Sequence, residues 1–441
     1  MKRRRGTLAI VVAAVALCAT TSALGADLLP NDHKHLGVAS CASSVCHGKI
    51  APQPNRDVQL NEYTIWSRND RHSQAFNRLK SAEALKMGAK LGIENPSGSK
   101  MCFGCHADTQ AANAVGANAN ATVITKFKQS DGVGCEACHG GSEKWIESHA
   151  QTSTTHKDNV ARGMYPTEQP LERATVCLSC HLGTRDRFAT HVIMGAGHPR
   201  LSFELTTYTE NQPRHYDPTS SSYIKRKGTI DGMNLWVTGQ IESAERYLSL
   251  LDTDLLTPGG MIPELAFYEC FSCHHRTDDL RWARTRAGPG IAPGTLRLQK
   301  QNFVMLQALA SVIDPAIATE LEDGTNALVR TGQSDPQTLR VSARRVQTTL
   351  KKCETWSARK YTNPEISQVR KALIRMAAED KASDFTIAEQ LFMGVDSLSY
   401  ALKDQGLRQK SLDILFEKVK SGPGFSSSQF LDAVRRVQGQ F

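Results

Sequence analysis

The sequence predicts a mainly α-helical protein in which a cysteine- and histidine-rich region with little regular secondary structure is followed by a C-terminal helical bundle. Three observations carry this expectation. Ten of the 12 cysteines fall in five pairs between Cys41 and Cys273, and each pair is followed at once by a histidine. Beyond residue 295 the pairs stop and apolar residues recur at helical spacing. Aromatic residues make up 6% of the 441 residues, too few to fill more than one core by themselves. A chain of this length allows roughly two to three domains.

The N-terminus comes first. Lys2, Arg3, Arg4 and Arg5 precede an apolar run from Thr7 to Ala19, and Ala23-Leu24-Gly25 offers small residues for cleavage. That is the layout of a secretory signal peptide over residues 1–25. The run is too short to be a membrane anchor, which needs roughly 20 apolar residues. Leu17 stands where a lipoprotein signal at Cys18 would need a small residue. Much of the +9 formal charge lies in the removable segment, and no other block of like charge follows, so nucleic-acid binding has no support. The expected destination is the periplasm, across the cytoplasmic membrane, with no stable membrane span.

Four of the pairs read Cys-x-x-Cys-His: Cys102/Cys105/His106, Cys135/Cys138/His139, Cys177/Cys180/His181 and Cys270/Cys273/His274. The fifth, Cys41-Ala-Ser-Ser-Val-Cys46-His47, has two extra residues before the same Cys-His ending. With 14 histidines in the whole chain, a histidine behind every pair is no accident of composition. Cys-x-x-Cys-His is the attachment signature of c-type haem: both thiols form thioethers with the macrocycle and the histidine ligates the iron. On a helical turn, positions i, i+3 and i+4 share one face, which presents all three groups to one porphyrin. The longer spacer at Cys41 requires a bulged turn. Disulfides would not need the histidines, and zinc ribbons pair Cys-x-x-Cys units in twos, which five units do not satisfy. Five covalent haem c groups are therefore expected, and they would supply much of the missing apolar core. Cys353 is left over as a small buried residue.

Between the motifs, the segment from Ala111 to Ala121 reads as irregular, and Asp231 to Leu251 as an amphipathic helix. Ala-Gly-Pro-Gly-Ile-Ala-Pro-Gly at 287–294 punctuates the chain, separating a cytochrome region (26–286) from a helical region without haem (295–441). In the latter, Phe303, Leu306, Ala310 and Ile313 share a face. So do Ile366, Val369, Leu373 and Met376, and again Ile387, Leu391, Val395, Leu398 and Leu402. Asp335-Pro336 and Asn363-Pro364 read as N-cap and first-turn pairs. The expected role of this bundle is to cover the haem region.

The segment Gly132-Val-Gly-Cys-Glu-Ala-Cys-His-Gly140, followed by His149, resembles the third-haem region of the cytochrome c-554 family of tetrahaem electron carriers. Trp66 and Asp70-Arg71-His72, after the first motif, are similar to that family's Trp…His stretch. Cys102-Phe-Gly-Cys-His106 and Cys177-Leu-Ser-Cys-His-Leu182 resemble its second and fourth sites. The resemblance covers roughly residues 38–182. It implies haems stacked in close pairs, as in the wider group that includes hydroxylamine oxidoreductase and pentahaem nitrite reductase. The long first spacer, the fifth motif and the C-terminal region depart from the family pattern. What transfers is the role of multihaem electron carrier.

Nine histidines lie outside the motifs, enough for a second axial ligand on each of five irons. The resemblance implies that His72 and His149 ligate haems other than those they follow. His191, His198 and His215 are further candidates. His275, adjacent to a motif histidine, points away from its own haem and is a candidate for a neighbouring one. His33, His35 and His156 are expected to be solvated. An iron with two axial imidazoles has no open position and passes electrons between redox partner proteins. An open iron would instead support a reductase of a small nitrogen or oxygen species. Pentahaem nitrite reductases usually mark that site with Cys-x-x-Cys-Lys, which is absent here. The expected function is electron transfer, with no catalytic residue assigned.

Overall fold

The computed structural model describes residues 33–53, 58–108, 126–257, 262–274, 295–332, 334–379, 382, 384–420 and 422–441. The signal segment (1–25), the 111–121 stretch, His275 and the punctuation at 287–294 lie outside the described residues. Within them the protein is mainly helical and contains no strand, only the isolated bridges Thr184–Arg187 and Tyr268–Leu298. Among the described residues no helix is long and apolar enough to cross a membrane.

Short helices form the first region: α1 (Glu62–Asn69), α2 (Ala75–Arg78), α3 (Ala82–Lys90), α4 (Lys100–His106), α5 (Cys135–His139), α6 (His156–Ala161), α7 (Pro170–His181), α8 (His191–Ala196), α9 (Leu205–Asn211) and α10 (Ser221–Lys227). Apart from α7 none exceeds nine residues, a length at which an isolated helix does not persist in water. Their cores are correspondingly small, such as Phe76, Leu79 and Ala107.

The long helix α11 (Gly232–Leu251) starts where the sequence places it, with the Asp231 carboxylate capping the Asn234 N–H at 2.9 Å. It is buried on nearly all sides. Met233, Trp236, Val237, Ile241, Leu248 and Leu251 enter one continuous core with α12 (Gln301–Ile313), α13 (Pro315–Thr331), α14 (Pro336–Cys353), α15 (Asn363–Ala378), α16 (Phe385–Ala401), α17 (Gln405–Val419) and α18 (Ser427–Val437). The three apolar faces read from the sequence all point into this core; Phe303, Leu306, Ala310, Leu373, Leu391 and Leu398 are essentially inaccessible. Cys353 is buried there too. Each such large aliphatic side chain contributes about 1.5–3 kcal/mol by leaving water.

One local expectation is corrected. Asp335 is the N-cap of α14, but α15 is capped one residue earlier than expected. Thr362 and Glu365 form a reciprocal capping box, and Asn363-Pro364 occupy the first two helical positions. The signal missed is the Thr-x-x-Glu spacing that overlaps the Asn-Pro pair.

Helix α11 also carries the first region. Leu235 packs with Ala174 and Leu178 of α7 and with Leu205 of α9. A Cβ at Gly239 would lie 2.6 Å from the Leu205 Cβ, so the close approach of α9 requires glycine there. The chain after α8 is pinned to α16 by Arg200–Glu389 (2.6 Å) and by Ser397 donating to Glu204 (2.8 Å). The bundle thus covers one side of the motif-bearing region.

Candidate functional site: five facing histidine pairs

Each motif folds as its spacing demands. The second, third and fourth lie at the ends of α4, α5 and α7, and the fifth is a 3-10 turn, Cys270–Ser272, closed by the His274 N–H donating to the Cys270 carbonyl at 2.8 Å. The first is the bulged turn its spacer requires: the Cys46 and Gly48 N–H groups both reach the Ser43 carbonyl, and the His47 N–H reaches back to Cys41 at 3.1 Å. No disulfide joins any described cysteine. Among the described residues no cluster of three or more His, Cys, Asp or Glu side chains gathers around a metal position.

What gathers instead is imidazole against imidazole. His47 faces His149 with ring centroids 6.1 Å apart and planes 12° from parallel. His181 faces His72 (6.2 Å, 89°), His106 faces His198 (6.2 Å, 87°) and His139 faces His215 (6.2 Å, 86°). His274 faces His191 at 6.2 Å and 35°. Every motif histidine therefore has one non-motif histidine opposite it, drawn from the candidates His72, His149, His191, His198 and His215. Direct ring packing would be closer. Two imidazoles bonded to one metal, with metal–nitrogen bonds of about 2.0–2.1 Å and a ring radius of about 1.1 Å, place their centroids roughly 6.3 Å apart. The residues present fit a metal held between each pair.

The motifs add a second grouping. A Cβ at Gly134, beside Cys135, would strike Val38, three residues before Cys41, at 2.6 Å, and Arg187 donates both to the carbonyl of Gly104, beside Cys105, at 3.3 Å and to the Cys180 sulfur at 3.9 Å. The first and third motifs therefore lie side by side, as do the second and fourth. Burial, reinforced by the facing His215, lowers the His139 pKa to about 3, and burial lowers His181 to about 4. Both rings are neutral at physiological pH, the form in which imidazole binds metal.

Ring orientations are fixed from behind. The Nδ1 of His106 faces the Ala75 carbonyl (3.0 Å), that of His198 the Pro199 carbonyl (2.8 Å) and that of His149 the Trp145 carbonyl (3.3 Å). His47 and His72 instead face carboxylates, Glu62 and Asp70, each at 2.9 Å. The Glu62 and Asp70 contacts raise the respective imidazole pKa values. Burial alone would raise the Asp70 carboxyl, but hydrogen bonds from His72 and Gln212 outweigh it and hold it at about 2. Ahead of Glu62, Leu60 sits at φ 58°, a left-handed conformation that costs a non-glycine residue about 1–2 kcal/mol. Its N–H donates to Glu62 at 3.2 Å.

Loops are anchored as tightly. A Cβ at Gly132 (φ 75°) would strike the His72 carbonyl at 2.6 Å, so glycine there lets the third-motif approach lie against the His72 turn. Glu136, between the third pair of cysteines, is buried and accepts from the Leu36, Gly37 and Ser142 N–H groups at 2.7–2.8 Å. Glu264 accepts from the His191 N–H at 2.7 Å, joining α8 to the approach of the fifth motif. Sequence reasoning missed Glu62, Glu136 and Glu264. Nothing local distinguishes them from surface carboxylates.

Two of the three histidines expected to be solvated are not. His35 is buried against Asp108 at 2.7 Å, and His156 pairs with the Glu168 carboxylate at 2.7 Å under partial cover. A carboxylate partner contributed by a distant segment removes each ring from solvent. His33 is half-buried, and His275 lies outside the described residues.

Residues 40–140 match the family model of cytochrome c554 and c-prime. Over that segment the chain is similar to a family of c-type cytochromes. The segment contains the first three motifs and the Trp66 to His72 stretch, and covers less than a quarter of the chain. No curated protein matches the sequence, and no solved structure matches it either.

Proposed function

We infer that the protein is a periplasmic five-haem c-type cytochrome that relays electrons between redox partner proteins. The observation that carries this reading is the set of five His–His separations of 6.1–6.2 Å, one for each motif. In it, the thioethers are formed by Cys41 and Cys46, Cys102 and Cys105, Cys135 and Cys138, Cys177 and Cys180, and Cys270 and Cys273. The axial pairs are His47/His149, His106/His198, His139/His215, His181/His72 and His274/His191. Bound haem supplies a one-electron iron couple at each position. The packing of site one on site three at Val38 and Gly134, and the Arg187 bridge between sites two and four, support two closely packed haem pairs. An imidazole opposite every motif histidine favours the carrier over a reductase with an open iron.

The reading includes a cleaved segment (1–25), a cytochrome region (26–286) and a C-terminal helical region (295–441) that covers it, with α11 belonging to the core of the latter. The test is peptide mapping and intact mass of the purified mature protein, together with its ferric spectrum. Five haems, modified Cys41 and Cys46, a start near Ala26, a wholly low-spin spectrum and rapid electron exchange with another cytochrome are expected. Four haems with unmodified Cys41 and Cys46, or one high-spin haem that turns over nitrite, hydroxylamine or peroxide, would refute it.

A further inference from the structure

Two of the ten facing imidazoles have a side-chain carboxylate behind them among the described residues. His47 is backed by the Glu62 carboxylate and His72 by the Asp70 carboxylate, both at 2.9 Å, whereas His106, His149 and His198 are backed by neutral backbone carbonyls. Both carboxylates are also held by bonds other than those to the imidazole rings. Glu62 accepts the N–H of Leu60 from its left-handed turn, and Asp70 accepts the His72 backbone N–H and the Gln212 amide, both at 3.0 Å.

We propose that Glu62 and Asp70 are redox-positioning residues that lower the potentials of the first and fourth haems relative to their packed neighbours. This rests on the five-haem reading above. A carboxylate accepting the Nδ1 proton pulls that proton toward itself and gives the ring imidazolate character. The ring then donates more charge to a metal at its other nitrogen and favours the oxidised state. The placement is systematic. Site one packs on site three where Val38 meets Gly134, and site four is tied to site two by Arg187, which donates to the Gly104 carbonyl and the Cys180 sulfur. Each close pair therefore contains one carboxylate-backed site and one without such backing. An electron entering a pair settles on the third or the second haem and uses the first or the fourth as the uphill step. The two carboxylates set a direction within each pair that the covalent attachments, alike at every site, cannot.

The test is spectropotentiometry of the holoprotein with Glu62→Gln and Asp70→Asn, which keep an acceptor and remove the charge. Each should favour the ferrous form of one haem at least tenfold, an upward shift of about 59 mV or more for a one-electron couple. Asp70→Glu should return the potential toward the wild-type value. The unaltered protein provides a check that needs no variant. Near-parallel axial rings give a rhombic ferric resonance and perpendicular rings a single large-g feature, so the His47/His149 haem can be followed separately from the His139/His215 haem. The former should be reduced last of the two. Unmoved potentials in variants that retain five low-spin haems, or the reverse order in the wild type, would overturn the inference while leaving the five-haem reading intact. A wild-type protein lacking five haems would defeat the reading itself.

Discussion

Replacing His149 by alanine removes one of ten facing imidazoles at the pair whose geometry is most easily recognised. The His47 and His149 rings are 12° from parallel, whereas three of the other four pairs are within a few degrees of perpendicular. The nearest ring to His149 outside the pair is Trp145, 5.4 Å away, and an indole N–H donates only, so it cannot take over as a ligand. Leu, Ala and backbone groups are no better. With five haems, the loss of this one ligand should convert about one-fifth of the iron to high spin and let the reduced protein bind about one equivalent of carbon monoxide. The rhombic resonance of the near-parallel pair should vanish while the large-g features of the perpendicular pairs persist. The assay is low-temperature electron paramagnetic resonance with carbon monoxide difference spectra, at constant haem content by pyridine haemochrome. His72→Ala should do the converse, removing one perpendicular feature and sparing the rhombic one. A His149→Ala protein that stays wholly low-spin, or that loses a perpendicular feature, would refute the assigned pairing.

Two further outcomes concern buried ionisable groups, Glu269 beside the fifth motif and Arg370 in the helical region. Burial, with the nearby Asp384 carboxylate, pushes the Glu269 carboxyl up to about 7 from an ordinary 4.5. Below pH 4.5 it is protonated in both the folded and the unfolded chain. As pH rises toward 7 the unfolded chain ionises first, so stability falls by an amount on the order of 3 kcal/mol, fully lost above pH 7. Glu269→Gln should flatten that decline in denaturant titrations from pH 4.5 to 8; an unchanged slope counts against the buried carboxyl. Arg370 is 2% exposed, grips Asp404 through two nitrogens at 2.6 and 3.0 Å and donates to Ser399 at 2.9 Å. Arg370→Ala should cost about 3 kcal/mol in urea unfolding because Asp404 is left with Arg408 alone. A loss below about 1 kcal/mol would show that the pair behaves as a solvated one.

The motif turns were legible because they are local: thiols and imidazole three and four residues apart need only one turn of chain to meet. The bundle was legible for the same reason, since Phe303, Leu306 and Ala310 declare their shared face within three turns. Which remote histidine meets which motif was not. The partners of His47 and His106 are His149 and His198, each roughly a hundred residues away, a separation that no local pattern in the sequence spans. Five of the six remote candidates nonetheless stand in pairs. The carboxylates behind them escaped notice because Glu62 becomes special only through the φ 58° turn at Leu60, a property of the backbone that no residue type advertises. His35 shows the same limit from the other side: a terminal-looking histidine is buried because Asp108 arrives from a distant segment.

The order of the histidine pairs along the chain has a consequence for how the first region is held together. The spans 47–149, 72–181, 106–198, 139–215 and 191–274 interleave, and none is nested inside another. With a metal at each pair they form a set of overlapping staples. Opening any of the three inner ones leaves the residues inside its span still tied by neighbouring staples, so no part of 72–198 can fray alone. Such ties work chiefly by denying the unfolded chain its freedom, each long loop removing several kcal/mol of disorder by the chain-entropy argument. The short helices, below the length at which they would persist alone, are thus stabilised by closure of the chain on itself. The spans also finish in sequence, at 149, 181, 198, 215 and 274, so a chain emerging N-terminus first would lock site one, then four, two, three and five. Ligation and delivery of the polypeptide would then share one clock, and the last staple would close only once α11, the girder against which the others lean, is already through.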